Sequence, residues 1–167
     1  GLTLFVRYLR NIGLFHYLED FFSPVRKSGK GQAITEIFKQ LFCFLLDGTS
    51  RHLVYFDTLK KDEGYAQTIE TDSVHMLSSH AIKRFYQSLL FHWTHLFRQV
   101  LLRLFGWRLQ IVKPSVIILG IDTMVMDNDE AEKREGVKPT YKKEKGFQPL
   151  QMTWSRFIVD ALFRSGD

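Results

Sequence analysis

The chain has 167 residues, of which 45% are hydrophobic and 25% charged, which excludes a disordered or fibrous polypeptide and leaves room for one domain, or one domain and part of another. Its one cysteine, Cys43, excludes a disulfide framework and a cysteine-based zinc site, and fits a reducing compartment. The formal net charge is +5, too modest to name a partner by itself.

The first 110 residues read as helices. Leu4, Phe5, Tyr8, Leu9, Ile12, Phe15 and Leu18 recur at three- and four-residue spacing, a helical stripe that tolerates Gly13. Ser23-Pro24 and the Lys27-Ser-Gly-Lys-Gly31 cluster break the chain. A second helix places Ile34, Ile37, Phe38, Leu41, Phe42, Leu45 and Leu46 on its apolar side and ends at Gly48 as C-cap. A third is expected from about Ser50 to Lys61, stopped by Gly64, with a short piece at 65–69 and a turn at Thr71-Asp-Ser73. The longest helix opens at Ser78 or Ser79 as N-cap and meets no breaker before Gly106. Ile82, Phe85, Leu89, Leu90, Trp93, Leu96, Phe97, Val100, Leu101 and Leu104 give it a wide apolar face.

After Pro114 the period changes. Val116-Ile-Ile-Leu119 is a β-branched run that predicts a strand buried on both faces. Leu150, Met152 and Trp154 alternate with polar residues as in a half-buried strand, and 157–163 predict its hairpin partner. The expected fold class is α+β, with a helical region over 1–112 and a strand region over 113–167.

The charge sits in the helical region. Residues 1–110 hold 14 basic and 9 acidic side chains, whereas residues 111–167 hold 9 of each. No Asp or Glu lies between Asp72 and Asp122, and that stretch carries Lys83, Arg84, Arg98, Arg103, Arg108 and Lys113. Such a run suits a polyanion, nucleic acid above all, although a helix whose acidic partners lie elsewhere in the chain would read the same way. The segment 59–90 can be read as a helix-turn-helix whose second helix offers Ser79, His80, Lys83 and Arg84 in its first turns. The other reading of these residues is an ordinary helical bundle with a polar surface. About five phosphate contacts along the run would give log affinity a slope against log salt of roughly −4 to −5.

Asp122 follows the apolar run directly, and a carboxylate at the end of a central strand is held rigidly where hard cations such as magnesium bind. An Asp capping a turn is the competing reading. Asp127, Asp129, Glu130, Glu132 and Glu135 are interleaved with Lys133, Arg134, Lys138, Lys142, Lys143 and Lys145, the pattern of a solvated loop or hairpin tip. A phosphatase of the haloacid-dehalogenase type would need a second Asp where Met124 stands. His92 and His95 make at most half a metal site. The glycine-lysine cluster near residue 29 lacks the spacing and the preceding strand of a phosphate loop.

The string Leu119-Gly-Ile-Asp-Thr-Met-Val-Met-Asp-Asn-Asp-Glu-Ala, with Arg134-Glu-Gly-Val-Lys-Pro-Thr-Tyr141, Lys145-Gly-Phe-Gln-Pro-Leu-Gln-Met152 and Phe163-Arg-Ser-Gly-Asp167, resembles bacterial insertion-sequence transposases of the DDE class. Leu45-Leu-Asp-Gly48, Asp57-Thr-Leu-Lys-Lys-Asp62 and 79–85 resemble that family's DNA-binding region more weakly. The resemblance implies a helical DNA-binding region over 1–112 and, over 113–167, the first three antiparallel strands of a ribonuclease H-like core that is incomplete. It implies metal-dependent phosphoryl transfer that cuts and joins transposon ends with Mg2+ or Mn2+, with Asp122 as the first catalytic, metal-binding Asp.

The family's second Asp and its Glu would fall after residue 167, so the expectation is a chain inactive alone, an amino-terminal portion of the enzyme. The alternatives are a truncated DNA-binding protein acting as a transposase inhibitor and, further off, a metal-dependent phosphatase. The expected partner is double-stranded DNA at transposon terminal repeats, with room for a homodimer. No segment reads as a membrane span or secretory signal, so a cytoplasmic, nucleoid-associated protein is expected.

Overall fold

A computed structural model describes residues 1–25, 31–89, 94–129 and 135–166, and these fall into two compact units, 1–96 and 97–167. The first unit is helical. Helix α1 (Leu2–Asn11) and α2 (Leu14–Phe22) are separate helices, because Gly13 takes a left-handed conformation (φ +72°) between them. The reason lies in the side chains each helix must bury. Helix α1 turns Val6 and Leu9 inward and leaves Leu4 71% exposed, whereas α2 buries Leu14, Leu18 and Phe22, and one continuous rod would not aim both sets at one core.

Helix α3 (Ile34–Asp47) follows the expected pattern and ends at Gly48, whose φ of +65° carries the C-cap that a side chain would strain. It packs against α1 and α2. Phe38 is its central residue, meeting Phe22 edge-on at 4.9 Å and Phe85 at 5.4 Å with near-perpendicular rings. The third helix expected at 50–61 is much shorter: a 3-10 turn at Leu53–Tyr55 leads into α4 (Phe56–Leu59). Gly64 is no stop, since α5 (Glu63–Thr68) starts before it, its free N–H of Tyr65 capped by the Asp62 carboxylate at 2.9 Å.

Helix α6 (Ser79–Ser88) opens at Ser78, as expected, but the long rod through residue 105 is not formed. Leu89 leaves the helix with an extended backbone (ψ 92°), and the Ser88 hydroxyl donates to the Phe85 carbonyl at 2.6 Å, a local bond that competes with helix continuation. Leu90 to Trp93 lie outside the described residues, as do Arg26 to Lys30, Glu130 to Arg134 and Asp167. Helix α7 (Thr94–Val112) passes straight through Gly106, since a glycine costs only about 1 kcal/mol against Ala in a helix. It ends where Lys113 turns left-handed (φ +46°) before Pro114.

From Phe97 onward α7 belongs with the strands, so the two units divide earlier than the 112/113 boundary expected. The strand sheet has the order β1 (Leu119–Thr123), β5 (Leu150–Trp154), β6 (Phe157–Leu162), all antiparallel. Asp122 faces Gln151 in the register, and a bulge interrupts the β5–β6 ladder at Met152/Thr153. Val159 of β6 is buried, and Phe105 of α7 meets Trp154 edge-on at 5.8 Å.

Two expectations change here. Val116 to Ile118 are not in a strand, and β1 is exposed along nearly its whole length instead of buried on both faces; it is an edge strand, paired with β5 alone among the described residues. The charged segment after Thr123 takes the hairpin alternative rather than the solvated loop, within a second antiparallel sheet: β2 (Met126–Asp127), β3 (Lys138–Pro139) and β4 (Lys145–Phe147), ordered β2-β4-β3. Among the described residues no helix is long and apolar enough to cross a membrane.

Candidate nucleic-acid interface

Helix α6 is placed by buried polar contacts. The Gln40 side chain, only 1% exposed within α3, accepts from the Leu77 N–H at 2.9 Å and donates to the His75 carbonyl at 3.1 Å. Its amide also donates to Glu36, which in turn accepts from the Thr71 hydroxyl and pairs with Lys39. The loop that leads into α6 is therefore tied to the centre of the helical unit. Burial would push the Glu36 carboxyl up, but the bonds from Gln40, Thr71 and Lys39 outweigh it and hold the carboxyl below its usual range.

The helix start is doubly capped. Ser78 Oγ accepts from the Ala81 N–H at 3.3 Å, and the Asp57 carboxylate of α4 accepts both the Ser79 hydroxyl at 2.6 Å and the Ser79 N–H at 2.9 Å. These two bonds, with the nearby charges of His80 and Lys83, hold Asp57 below the usual carboxylate range. Ile82 and Phe85 point inward, while His80, Lys83 and Arg84 are exposed on the outside at three- and four-residue spacing.

Of the residues singled out on this helix, Ser79 is turned inward: it is 4% exposed and its hydroxyl is engaged by Asp57, so it presents nothing to a nucleic acid. The segment 59–90 does contain two helices, α5 and α6, but residues 69–78 connect them through a 3-10 turn at Ser73–His75. A helix-turn-helix has a turn of roughly 3–4 residues. The connection here is far longer, so the tight motif is not formed.

The remaining cations lie in the other unit and are differently employed. Arg98 grips Asp160 of β6 with two nitrogens, at 2.8 and 2.5 Å. The pair raises the Arg98 pKa and lowers that of Asp160, each through the hydrogen bond first. Arg108 lays its guanidinium 5.0 Å from the Phe157 ring centre, with its Nε buried. Arg103 is exposed on α7. The acid-free run is thus acid-free only along the chain, since folding brings Asp160 to it. His92 lies outside the described residues, and His95 is exposed on α7.

Asp122 is exposed on β1, and one of its oxygens accepts the N–H of Thr123 at 2.8 Å. Among the described residues no three His, Cys, Asp or Glu side chains gather as a metal would require. Asp122 could supply one oxygen ligand to a hard cation such as magnesium or manganese, and a pair of such ions would need several more. Cys43 is no nucleophile either, since burial pushes its thiol up to about 11.

The Gln40 and Asp57 contacts join residues far apart in the sequence. Gln40 had a visible signal, a long polar side chain inside the apolar stripe of α3, but its partners lie 35 and 37 residues away. No protein-family model matches this chain, and no curated protein or solved structure matches it.

Proposed function

We propose that the helical unit binds double-stranded DNA through the outer face of α6, and that the strand unit carries Asp122 as the first carboxylate of a DDE-type, ribonuclease H-like site for cutting and joining DNA. The observation that supports the DNA reading is the exposed triad His80, Lys83 and Arg84 on a helix whose start is fixed to α3 and α4. The Asp57 carboxylate, which feels the charges of His80 and Lys83, has both oxygens engaged by Ser79. A rigid helix with clustered cations positions itself on phosphates at low entropic cost. The strand reading rests on the resemblance around Asp122 and on an antiparallel order in which β1 leads.

A second reading is occupancy of DNA without catalysis. Both readings place DNA on α6. The test is binding of a labelled duplex by fluorescence anisotropy across a salt series. Because Arg98 is paired with Asp160, the slope is expected to be shallower than the cation count along the chain implies. Replacing Lys83 and Arg84 together with Ala should weaken binding and reduce the slope by about 1.8, at roughly 0.9 per phosphate contact. Unchanged affinity and slope would remove α6 from the interface. Because the chain is expected to be inactive alone, metal-dependent nicking of a duplex that is lost on Asp122→Asn would overturn that expectation.

A further inference from the structure

The second sheet ends in a hairpin that the DNA reading of α6 does not use. Strands β3 and β4 pair Lys138 with Gly146 and Pro139 with Lys145, leaving 140–144 as the tip. The tip is ordered by its own backbone: the Thr140 N–H donates to the Glu144 carbonyl and the Lys143 N–H to the Thr140 carbonyl, both at 2.8 Å. Lys143 sits left-handed at φ +66°, closing the turn, and Thr140 is buried. Below the tip the hairpin is clamped. A Cβ on Gly146 would lie 2.2 Å from the Met126 carbonyl oxygen, and one on Gly166 would lie 2.2 Å from that of Lys138, so neighbouring backbone touches both strands. The Asn128 N–H donates to the Lys145 carbonyl, and Asp129 accepts the Lys145 N–H.

What this rigid base presents is basic and aromatic. From Glu135 to Phe147 there are four lysines, Lys138, Lys142, Lys143 and Lys145, against Glu135 and Glu144. All four are exposed. Across the sheet, Asp127 accepts the Asp129 N–H and Asp129 the Lys145 N–H, so each acid is tied to backbone. Tyr141 stands at the summit, 63% exposed, with the Lys142 ammonium 5.9 Å from its ring centre. A large ring held out in water beside clustered ammonium groups is a stacking platform next to phosphate contacts, the combination that holds an unpaired nucleic-acid strand. A duplex would offer its phosphates but hide its base faces from Tyr141.

We infer that the β3–β4 hairpin is a contact for unpaired nucleic-acid strand, with Tyr141 stacking on a base and Lys142 and Lys143 on the flanking phosphates. The hairpin belongs to the other unit, and the inference stands without α6. The test uses the full chain and labelled 15-residue strands of one mixed sequence, as DNA and as RNA, beside the matching DNA duplex. Tyr141→Ala should weaken single-strand binding about tenfold with little change in salt slope, and Tyr141→Trp should restore it. Lys142→Ala with Lys143→Ala should reduce the single-strand slope by about 1.4, at roughly 0.7 per contact. Binding of either strand counts for the inference, and the tighter one names the source. Single-strand affinity that survives both hairpin variants, or that falls only with the α6 pair Lys83→Ala and Arg84→Ala, overturns it. If the α6 pair abolishes duplex binding alone, the two surfaces are distinct. If the α6 pair changes nothing while the hairpin variants do, the reading of α6 fails and this one stands.

Discussion

Gln40→Leu tests how α6 is held. The substitution roughly conserves volume at a position that is 1% exposed, so packing changes little. What changes is hydrogen bonding. The Leu77 N–H, itself buried, loses its acceptor, and the His75 carbonyl loses a donor. Each buried polar group left without a partner costs about 1–3 kcal/mol. Two such groups cost about 2–6 kcal/mol; less the roughly 1–2 kcal/mol gained by burying a leucine side chain in place of an amide, the net loss spans about 0–5 kcal/mol, with about 2–3 kcal/mol the central expectation. That is a substantial part of the 5–15 kcal/mol typical of a folded domain.

Urea unfolding followed by helical circular dichroism measures the loss. Amide exchange at Leu77 gives a local reading, because this N–H should become one of the fastest-exchanging buried amides. Gln40→Glu keeps an acceptor for Leu77 but loses the donor to His75 and faces Glu36, so it should be destabilising too, with Leu77 still protected. A stability within about 0.5 kcal/mol of the parent for Gln40→Leu, with Leu77 protected, would refute the idea that Gln40 ties the loop to α3.

Two further expectations concern other parts of the molecule. The carboxyls of Glu70, held by Arg7 and Arg10, and of Asp160, held by Arg98, titrate below their ordinary range in the folded chain, so their stabilising contribution is complete above the unfolded carboxylate pKa of about 4 and is lost as pH falls through the lowered values. Replacing both by their amides should flatten the decline in stability between pH 5 and 2, measured by unfolding at each pH, and an unaltered decline would show that these pairs are not linked to folding. Gly146→Ala forces a Cβ onto the Met126 carbonyl oxygen, and since that neighbour is backbone the β2–β4 pairing must open. Loss of exchange protection at the Asn128 amide, with the β5–β6 amides unaffected, is the expected outcome, and retained protection at Asn128 would contradict it.

The parts of the fold that were legible in the sequence are those decided locally. The apolar stripe of α3, its end at Gly48, the N-cap Ser78 and the β5–β6 hairpin all depend on residues within a few positions of one another. Gly13 was not legible as a break, because a glycine inside a periodic stripe is compatible with a helix until the two halves must face one core. The end of α6 at Ser88 escaped for a similar reason: no proline or glycine marks it. The charge reading failed where distant partners intervened. Arg98 looked unopposed until Asp160, 62 residues on, came to it, and Ser79 looked like a surface residue until Asp57 claimed its hydroxyl. The second sheet was hidden because its strands are two or three residues long, too short for an alternation to show.

The exposure of β1 has a practical consequence for anyone handling the protein. Pairing with β5 satisfies one row of its backbone groups, and among the described residues the other row faces outward beside Ile118 and Ile121, which are 77% and 64% exposed. A greasy strand with an open hydrogen-bonding margin is a template on which chains stack into ribbons. Association between chains on concentration is therefore expected to begin at this margin.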